Sequence, residues 1–214
     1  MIGILDLQGG VAEHREHLEY LEVGCVSVKK AEHLKGISGL IIPGGESTCL
    51  SKLLEIFSLK EPILAAHRNG MKIWGTCAGA ILLATEIGGE SPYFSVMEMA
   101  VQRNSFGSQM DSFTTEALVD GVDTEPIPLV FIRAPKIIRV GGNVRILLKM
   151  GDYIAAAESA DALVTIFHPE LTNNSAFHRY FAAKCGEAFA KAKLLADPGW
   201  RETSWMGSGE QSPK

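Results

Sequence analysis

One cysteine in this 214-residue chain sits where a thiol can act as a nucleophile. In Trp74-Gly75-Thr76-Cys77-Ala78-Gly79-Ala80 an apolar strand pattern ends at Thr76, and a run of good helix formers begins after Cys77. Gly75 and Gly79 flank the thiol two residues to either side. That is the G-x-nucleophile-x-G pattern, in which glycines make room for a sharp strand-to-helix turn. A thiol so placed lies at a helix start, where the dipole favours negative charge. The alternative is a structural thiol buried at a strand end; the paired glycines and the helix start favour the nucleophile.

A cysteine nucleophile needs a histidine base, and the base needs an orienting carboxylate. Of six histidines, His14, His17 and His33 lie in polar helix-like or loop surroundings and are expected to be solvated. His67 falls near a helix end, where capping is expected, and His178 beside Arg179 is expected on a helix surface. His168 differs, because it follows the apolar strand Leu163–Phe167 directly and precedes Pro169 and Glu170. It therefore emerges at the carboxyl edge of a sheet, where open α/β folds place their ligands, and Glu170 is near enough to orient its ring. A turn histidine beside a surface glutamate fits the same residues equally well.

A third element is Pro43-Gly44-Gly45-Glu46-Ser47-Thr48, a glycine turn between a strand and a helix. Adjacent glycines free the backbone to aim N–H groups at an anion, as an oxyanion hole requires. The turn could equally cradle a phosphate, although it lacks the spaced glycines and the lysine of a P-loop.

These three turns must be held by a scaffold, and short apolar runs alternating with helical patterns supply one. Ile2–Leu7, Cys25–Lys29, Gly39–Ile42, Lys72–Thr76 and Leu163–Phe167 read as strands; Val11–Leu21, Thr48–Ile56, Pro62–Asn69, Ala78–Ala84 and Ser175–Leu195 read as helices. Strands apolar throughout and separated by helices indicate a mostly parallel sheet covered on both faces. Between Met97 and Glu158 consecutive strand-like runs, among them Phe113–Val119, Leu129–Ile132 and Val144–Lys149, predict an antiparallel extension of that sheet. The last helix carries a core-facing stripe of Phe177, Phe181, Ala188, Leu194 and Leu195. Residues 1–196 are expected to form one domain and 197–214 a flexible tail, with Trp200 and Trp205 as candidates to dock on the body.

Composition narrows the function class. With 46% hydrophobic and 21% charged residues and mean hydropathy +0.11, the chain is globular rather than disordered, collagenous or coiled-coil. A net charge of −5 lacks the footprint of a nucleic-acid or anionic-membrane binder, and no apolar run reaches the ~20 residues of a bilayer span. The start at Met1-Ile2-Gly3-Ile4-Leu5-Asp6 reads as a first strand rather than a signal peptide. Four cysteines without CxxC spacing support neither a zinc site nor a disulfide framework, so a reducing cytoplasm is expected.

Taken together, Pro43-Gly44-Gly45-Glu46-Ser47, Gly75-Thr76-Cys77-Ala78-Gly79 and His168-Pro169-Glu170 resemble the class I (triad) glutamine amidotransferases. Leu7-Gln8-Gly9 with Glu13-His14, Arg103-Asn104-Ser105-Phe106-Gly107, Phe131-Ile132-Arg133-Ala134-Pro135 and His168-Pro169-Glu170-Leu171-Thr172 narrow the resemblance to the glutaminase subunits of pyridoxal 5′-phosphate synthases. It covers roughly residues 1–195. The resemblance implies a flavodoxin-like three-layer α/β sandwich and hydrolysis of L-glutamine to L-glutamate and ammonia through a thioester. Cys77 would be the nucleophile, His168 the base, Glu170 its orienting partner, and the backbone amides of Gly45 and Ala78 the oxyanion hole. Gly45, Glu46, Ser47, Arg103, Ile132 and Arg133 would hold the substrate, an arginine fork matching its α-carboxylate. No cofactor or metal is implied. Ammonia would pass to a (β/α)₈-barrel pyridoxal 5′-phosphate synthase subunit within a large hetero-oligomer, the Gln8 loop lying at the interface. One departure is Ser108 before Gln109, where the family has arginine; it bears on a local salt bridge or interface contact. The rival readings are a glutaminase serving another synthase, a cysteine peptidase-like or chaperone-like α/β protein, and a silent regulatory subunit.

Overall fold

The computed structural model describes residues 1–103 and 112–190. The first half contains β1 (Ile2–Leu5), α1 (Val11–Tyr20), β2 (Cys25–Val28), β3 (Gly39–Ile42), α2 (Ser47–Ile56), α3 (Lys60–Arg68), β4 (Lys72–Thr76) and α4 (Ala78–Leu83). Strands then dominate: β5 (Ala84–Ile87), β6 (Met97–Gln102), β7 (Phe113–Ala117), β8 (Ile127–Phe131), β9 (Lys136–Val140), β10 (Arg145–Met150), β11 (Tyr153–Glu158) and β12 (Ala162–Thr165). A 3-10 turn at Pro169–Leu171 and α5 (Ala176–Lys184) follow.

The main sheet runs β2-β1-β3-β4-β12-β11-β9-β6-β5, with β10 on β11. Its first five strands are parallel in the doubly wound order that the flavodoxin-like fold shares. β1, β3 and β12 are buried along their whole length, which is why they read as unbroken apolar runs. β11 joins β12 antiparallel and turns the sheet into the expected extension through β9 and β6. α1 packs with α5, and α2 with α4. Among the described residues no helix is long and apolar enough to cross a membrane.

Register is what matters for the site. Ile42 of β3 lies opposite Gly75, and Thr165 of β12 opposite Thr76. The turns that follow β3, β4 and β12 therefore leave the carboxyl edge side by side, carrying Gly44-Gly45, Cys77 and His168.

Several expectations are corrected. Among the described residues β7 and β8 pair only with each other, in a separate two-stranded sheet, so part of the strand-rich stretch leaves the main sheet. The last helix stops at Lys184 rather than Leu195. Gly186 takes a left-handed conformation (φ +72°), and Glu187 N–H closes the end on Ala182 O at 2.9 Å, a glycine C-cap. Ala188 thus lies beyond the helix, while Phe177 and Phe181 are buried as expected. Leu194, Leu195, the 197–214 tail and the segment from Asn104 through Ser108 and Gln109 lie outside the described residues.

The largest correction concerns histidines. His14, His17 and His178 are fully buried rather than solvated. His14, His17, Leu18 and Leu21 occupy one face of α1, all buried, at the i, i+3, i+4, i+7 spacing of a core stripe. His178 sits between the buried Phe177 and Phe181 on α5 and stacks on His17, ring centroids 4.0 Å apart. His67 behaves as expected, its ring bonding Met71 O at 2.9 Å just beyond α3.

The tightest joint is between α4 and β3. A Cβ on Gly79 would lie 2.1 Å from Ile42 O, in backbone that cannot move aside. Gly79→Ala is expected to lower Tm by roughly 5 °C, the cost of overpacking by a methyl. Gly142→Ala, whose methyl meets nothing within 4 Å, should melt like the wild type; equal melting of both variants would refute the close contact.

Candidate active site

Cys77 is a non-glycine residue with φ +48° and ψ −106°, a sparsely populated conformation that persists only where its surroundings impose it. Here they do. Cys77 N–H donates to Thr165 O at 2.8 Å, and Ala80 N–H to Cys77 O at 3.1 Å. A Cβ on Gly75 would fall 2.5 Å from the Gly79 carbonyl carbon. Both glycines of the motif are thus explained by backbone contact, and the turn they permit holds the thiol at the sheet edge. Cys77 Sγ lies 3.9 Å from Ile132 O.

His168 is fixed through its own backbone, since its N–H donates to Val130 O at 2.8 Å. Its Nδ1 meets Glu170 Oε1 at 2.7 Å, and its ring lies close enough to the Cys77 side chain for the thiol to raise its pKa. Gly44 closes the other side: a Cβ there would lie 2.6 Å from His168 Cε1 and 3.2 Å from Cys77 Cβ. Cys77, His168 and Glu170 therefore lie side by side in that order, with only 1% of the Glu170 side chain exposed.

The charges explain one another. Burial would push His168 down, but Glu170, by its charge and its hydrogen bond, and the neighbouring Cys77 hold it well above the ordinary histidine value. Burial would raise the Glu170 carboxyl, and His168 and His14 more than offset that, holding it at about 2. An imidazolium–carboxylate pair is the state this geometry favours. In that state the ring already holds the proton given up by a neighbouring thiol, and it can pass that proton to a leaving group.

A cleft of about 340 Å³ opens in front of the thiol, lined by Gly45, Glu46, Ser47, Cys77, Ala78, Ile81, Arg103, Ile132, Arg133, Pro135 and His168. Every residue expected to bind substrate or form the oxyanion hole is there, while Glu170 stands behind His168. Ile81 and Pro135 are additions to the expected set; Ile81 lies one helical turn beyond Cys77 and Pro135 ends the Phe131-to-Pro135 motif, so the sequence points to both. Glu46 caps α2, accepting from Thr48 N at 2.9 Å and Cys49 N at 2.7 Å. Those backbone bonds, foremost that from Thr48, keep its carboxyl below the usual range. Arg103 reaches across the mouth to Glu90 at 2.6 Å, Thr48 Oγ1 at 3.2 Å and Glu46 at 3.4 Å. Gln8 packs beside Gly45 and donates to Glu46 O at 2.8 Å. Among the described residues no group of three or more His, Cys, Asp or Glu side chains is arranged to hold a metal ion.

A doubly wound sheet with its cleft at the carboxyl edge is the architecture found in the glutamine amidotransferases. A crystal structure of a glutamine amidotransferase, 40% identical, matches with TM-score 0.80 over 86% of this chain and 98% of that one. The chain belongs to the SNO glutamine amidotransferase family, whose model matches residues 4–187. It is 56% identical, over 96% of its length and 92% of the relative's, to the pyridoxal 5′-phosphate synthase subunit PdxT of Syntrophus aciditrophicus. The PdxT of Clostridium botulinum is 51% identical over 86% of this chain and 96% of that protein.

His14 gives the site a pH signature. Burial lowers it to about 4, against the pull of Glu170 and with the push of His168, whereas an unfolded histidine titrates near 6.5. As pH falls from 6.5 to 4 the unfolded chain gains a proton that the fold refuses, so stability should drop by on the order of 3 kcal/mol. His168, raised, keeps its contribution throughout that window and loses it only on the alkaline side. Glu170, lowered, loses its contribution only as pH falls from the usual carboxylate range towards 2. Urea unfolding at the two ends of the window should show the drop, and His14→Gln should shrink it; a flat midpoint in the wild type would contradict a neutral buried His14.

Proposed function

We propose that this chain hydrolyses L-glutamine to L-glutamate and ammonia through a thioester on Cys77, and delivers the ammonia to a synthase subunit making pyridoxal 5′-phosphate. The observation that carries the reading is the placement of Cys77 beside His168, itself bonded to Glu170, at a cleft of amino-acid size. His168 takes the Cys77 proton and the sulfur attacks the side-chain amide carbon. The oxyanion that forms is met by the N–H groups of Gly45 and Ala78; the latter opens α4 and so has no acceptor within its helix. Collapse breaks the C–N bond as the imidazolium protonates departing ammonia. Water, deprotonated by His168, then attacks the thioester carbonyl carbon, releasing glutamate and the thiol. Glu170 keeps the ring oriented and its positive charge matched.

Arg103 and Arg133 supply cations at the cleft for the substrate α-carboxylate, Arg103 exchanging an acidic neighbour for it. Glu46 offers a carboxylate for the α-ammonium, and Ser47 and Ile132 complete the binding wall. The PdxT relatives are subunits of a pyridoxal 5′-phosphate synthase, which supports a synthase subunit as the partner; our reading makes that subunit a (β/α)₈ barrel within a large hetero-oligomer. A cytoplasmic setting accords with four unpaired thiols.

Cys77→Ala should abolish ammonia release with an unchanged melting curve, and a glutamine-analogue alkylator should label Cys77 rather than Cys25, Cys49 or Cys185. His168→Ala should cost on the order of 10²–10⁴ in kcat, and Glu170→Gln less, because the imidazole transfers the proton that the carboxylate only orients. Steady-state turnover unchanged in both would remove the triad.

The partner is expected to switch the site on. The Gln8-Gly9 loop touches the oxyanion turn: a Cβ on Gly9 would lie 2.1 Å from Gly44 O. Docking there could decide whether the turn presents a carbonyl or an N–H, worth roughly 10²–10³ in rate. Ammonia release by the free chain and by its complex with the synthase subunit should differ by that order, and equal values would mean a preformed oxyanion hole.

A further inference from the structure

Behind the candidate site lies a histidine that no step above uses. His14 is fully buried on α1, its ring edge against Trp74 at 5.5 Å between centroids. Its Nδ1 meets Nε2 of His178, from α5, at 2.8 Å. Its Nε2 faces the second carboxylate oxygen of Glu170, Oε2, at 3.6 Å. Glu170 therefore stands between two imidazoles, one on each oxygen. Oε1 is satisfied by His168. Among the described residues, Oε2 of Glu170 and Nε2 of His14 are both buried and lack a hydrogen-bond partner at this spacing, although a few tenths of an ångström would satisfy both at once.

We propose that His14 is a positioning residue for the reaction: as a neutral imidazole protonated on Nε2, it donates to Oε2 of Glu170 and fixes the carboxylate that orients His168. This rests on the glutaminase reading of Cys77, His168 and Glu170.

Three arguments support it. An unprotonated Nε2 would set its lone pair against a carboxylate lone pair in a dry interior, where nothing screens the repulsion. The proton therefore belongs on Nε2. A neutral His14 then accepts at Nδ1, so His178 must donate its Nε2 proton across the 2.8 Å contact. The two tautomers are thus set by one carboxylate. Finally, burial holds His14 uncharged through the neutral range, so it steadies Glu170 without becoming a second cation that would compete with the imidazolium of His168. The titratable groups around it are Glu170 and His168 beyond the sheet edge, His178 on α5, and Glu13 and His17 on its own helix, Glu13 facing Gly10 rather than the ring. A buried carboxylate with a single donor can swing about its last torsion. With donors on both oxygens it cannot, and Nε2 of His168 stays aimed at Cys77.

The test uses the full chain and its complex with the synthase subunit. Histidine ¹⁵N spectra of the free wild-type chain should show His14 and His178 protonated on Nε2, with no titration of His14 between about pH 5.5 and 8.5. In the complex, His14→Phe keeps an aromatic ring, somewhat larger, but loses the donor; it should lower kcat roughly tenfold, as loss of an outer hydrogen-bond partner does, with KM for glutamine unchanged. His14→Gln, whose side-chain amide reaches the same depth, should recover most of that loss. A proton on His14 Nδ1, a titration in that range, or wild-type kcat in a folded His14→Phe would overturn the proposal. So would parallel loss of kcat, KM and Tm in both variants, since that pattern marks a packing role alone. A wild-type complex that releases no ammonia from glutamine would instead count against the glutaminase reading, and the ¹⁵N spectra would still decide the His14–Glu170 contact.

Discussion

The absence of any Cβ between α4 and the β3–β4 edge is the constraint on which the rest depends. Gly79 rests on the Ile42 carbonyl, Gly75 on Gly79, and Gly44 on the His168 ring. None of these contacts admits a methyl, so the turns after β3, β4 and β12 nest more closely than side chains allow. The nesting imposes the left-handed backbone of Cys77 and ties its N–H to β12. Strain at the nucleophile is thereby held by the hydrogen bonds and packing of a buried parallel sheet, the part of the chain least able to relax.

The second organising force is electrostatic. Glu170 is an anion in the interior, and an unpaired one would be driven to its neutral form by loss of hydration. Instead it keeps its charge because His168 bonds one oxygen and His14 faces the other at 3.6 Å. α1 is therefore more than a cover for the sheet: it brings His14 to the rear of the carboxylate, and its preceding loop touches the turn at Gly44 and Gly45. Site, scaffold and loop are mechanically one unit.

How much of this could be read from the amino-acid sequence follows from the range of each interaction. The Cys77 elbow and the five parallel strands were legible because glycine spacing and unbroken apolar runs report local geometry and two-sided burial. The cleft residues Arg103, Ile132 and Arg133 came from resemblance alone, since nothing in their spacing points to a common wall. For His14, His17 and His178 residue type and position point opposite ways: a histidine suggests solvent, but spacing with Leu18, Leu21, Phe177 and Phe181 marks core faces. The early end of α5 was written in Gly186, overlooked because apolar residues continue past it. Pairing of β7 with β8 away from the main sheet is a nonlocal choice that alternation within each strand cannot reveal.

The hairpin of β7 and β8 has a consequence for how the protein fails. β8 leads directly into the Ile132–Arg133 wall of the cleft, and its Val130 carbonyl receives the backbone N–H of His168. β7, its sheet partner, is largely exposed. Fluctuations that open this small sheet reach the histidine backbone without disturbing the parallel strands, so amide exchange at His168 should follow the hairpin rather than the core. Heat inactivation and global melting are then separate events, and the first would report on a region that holds none of the triad side chains.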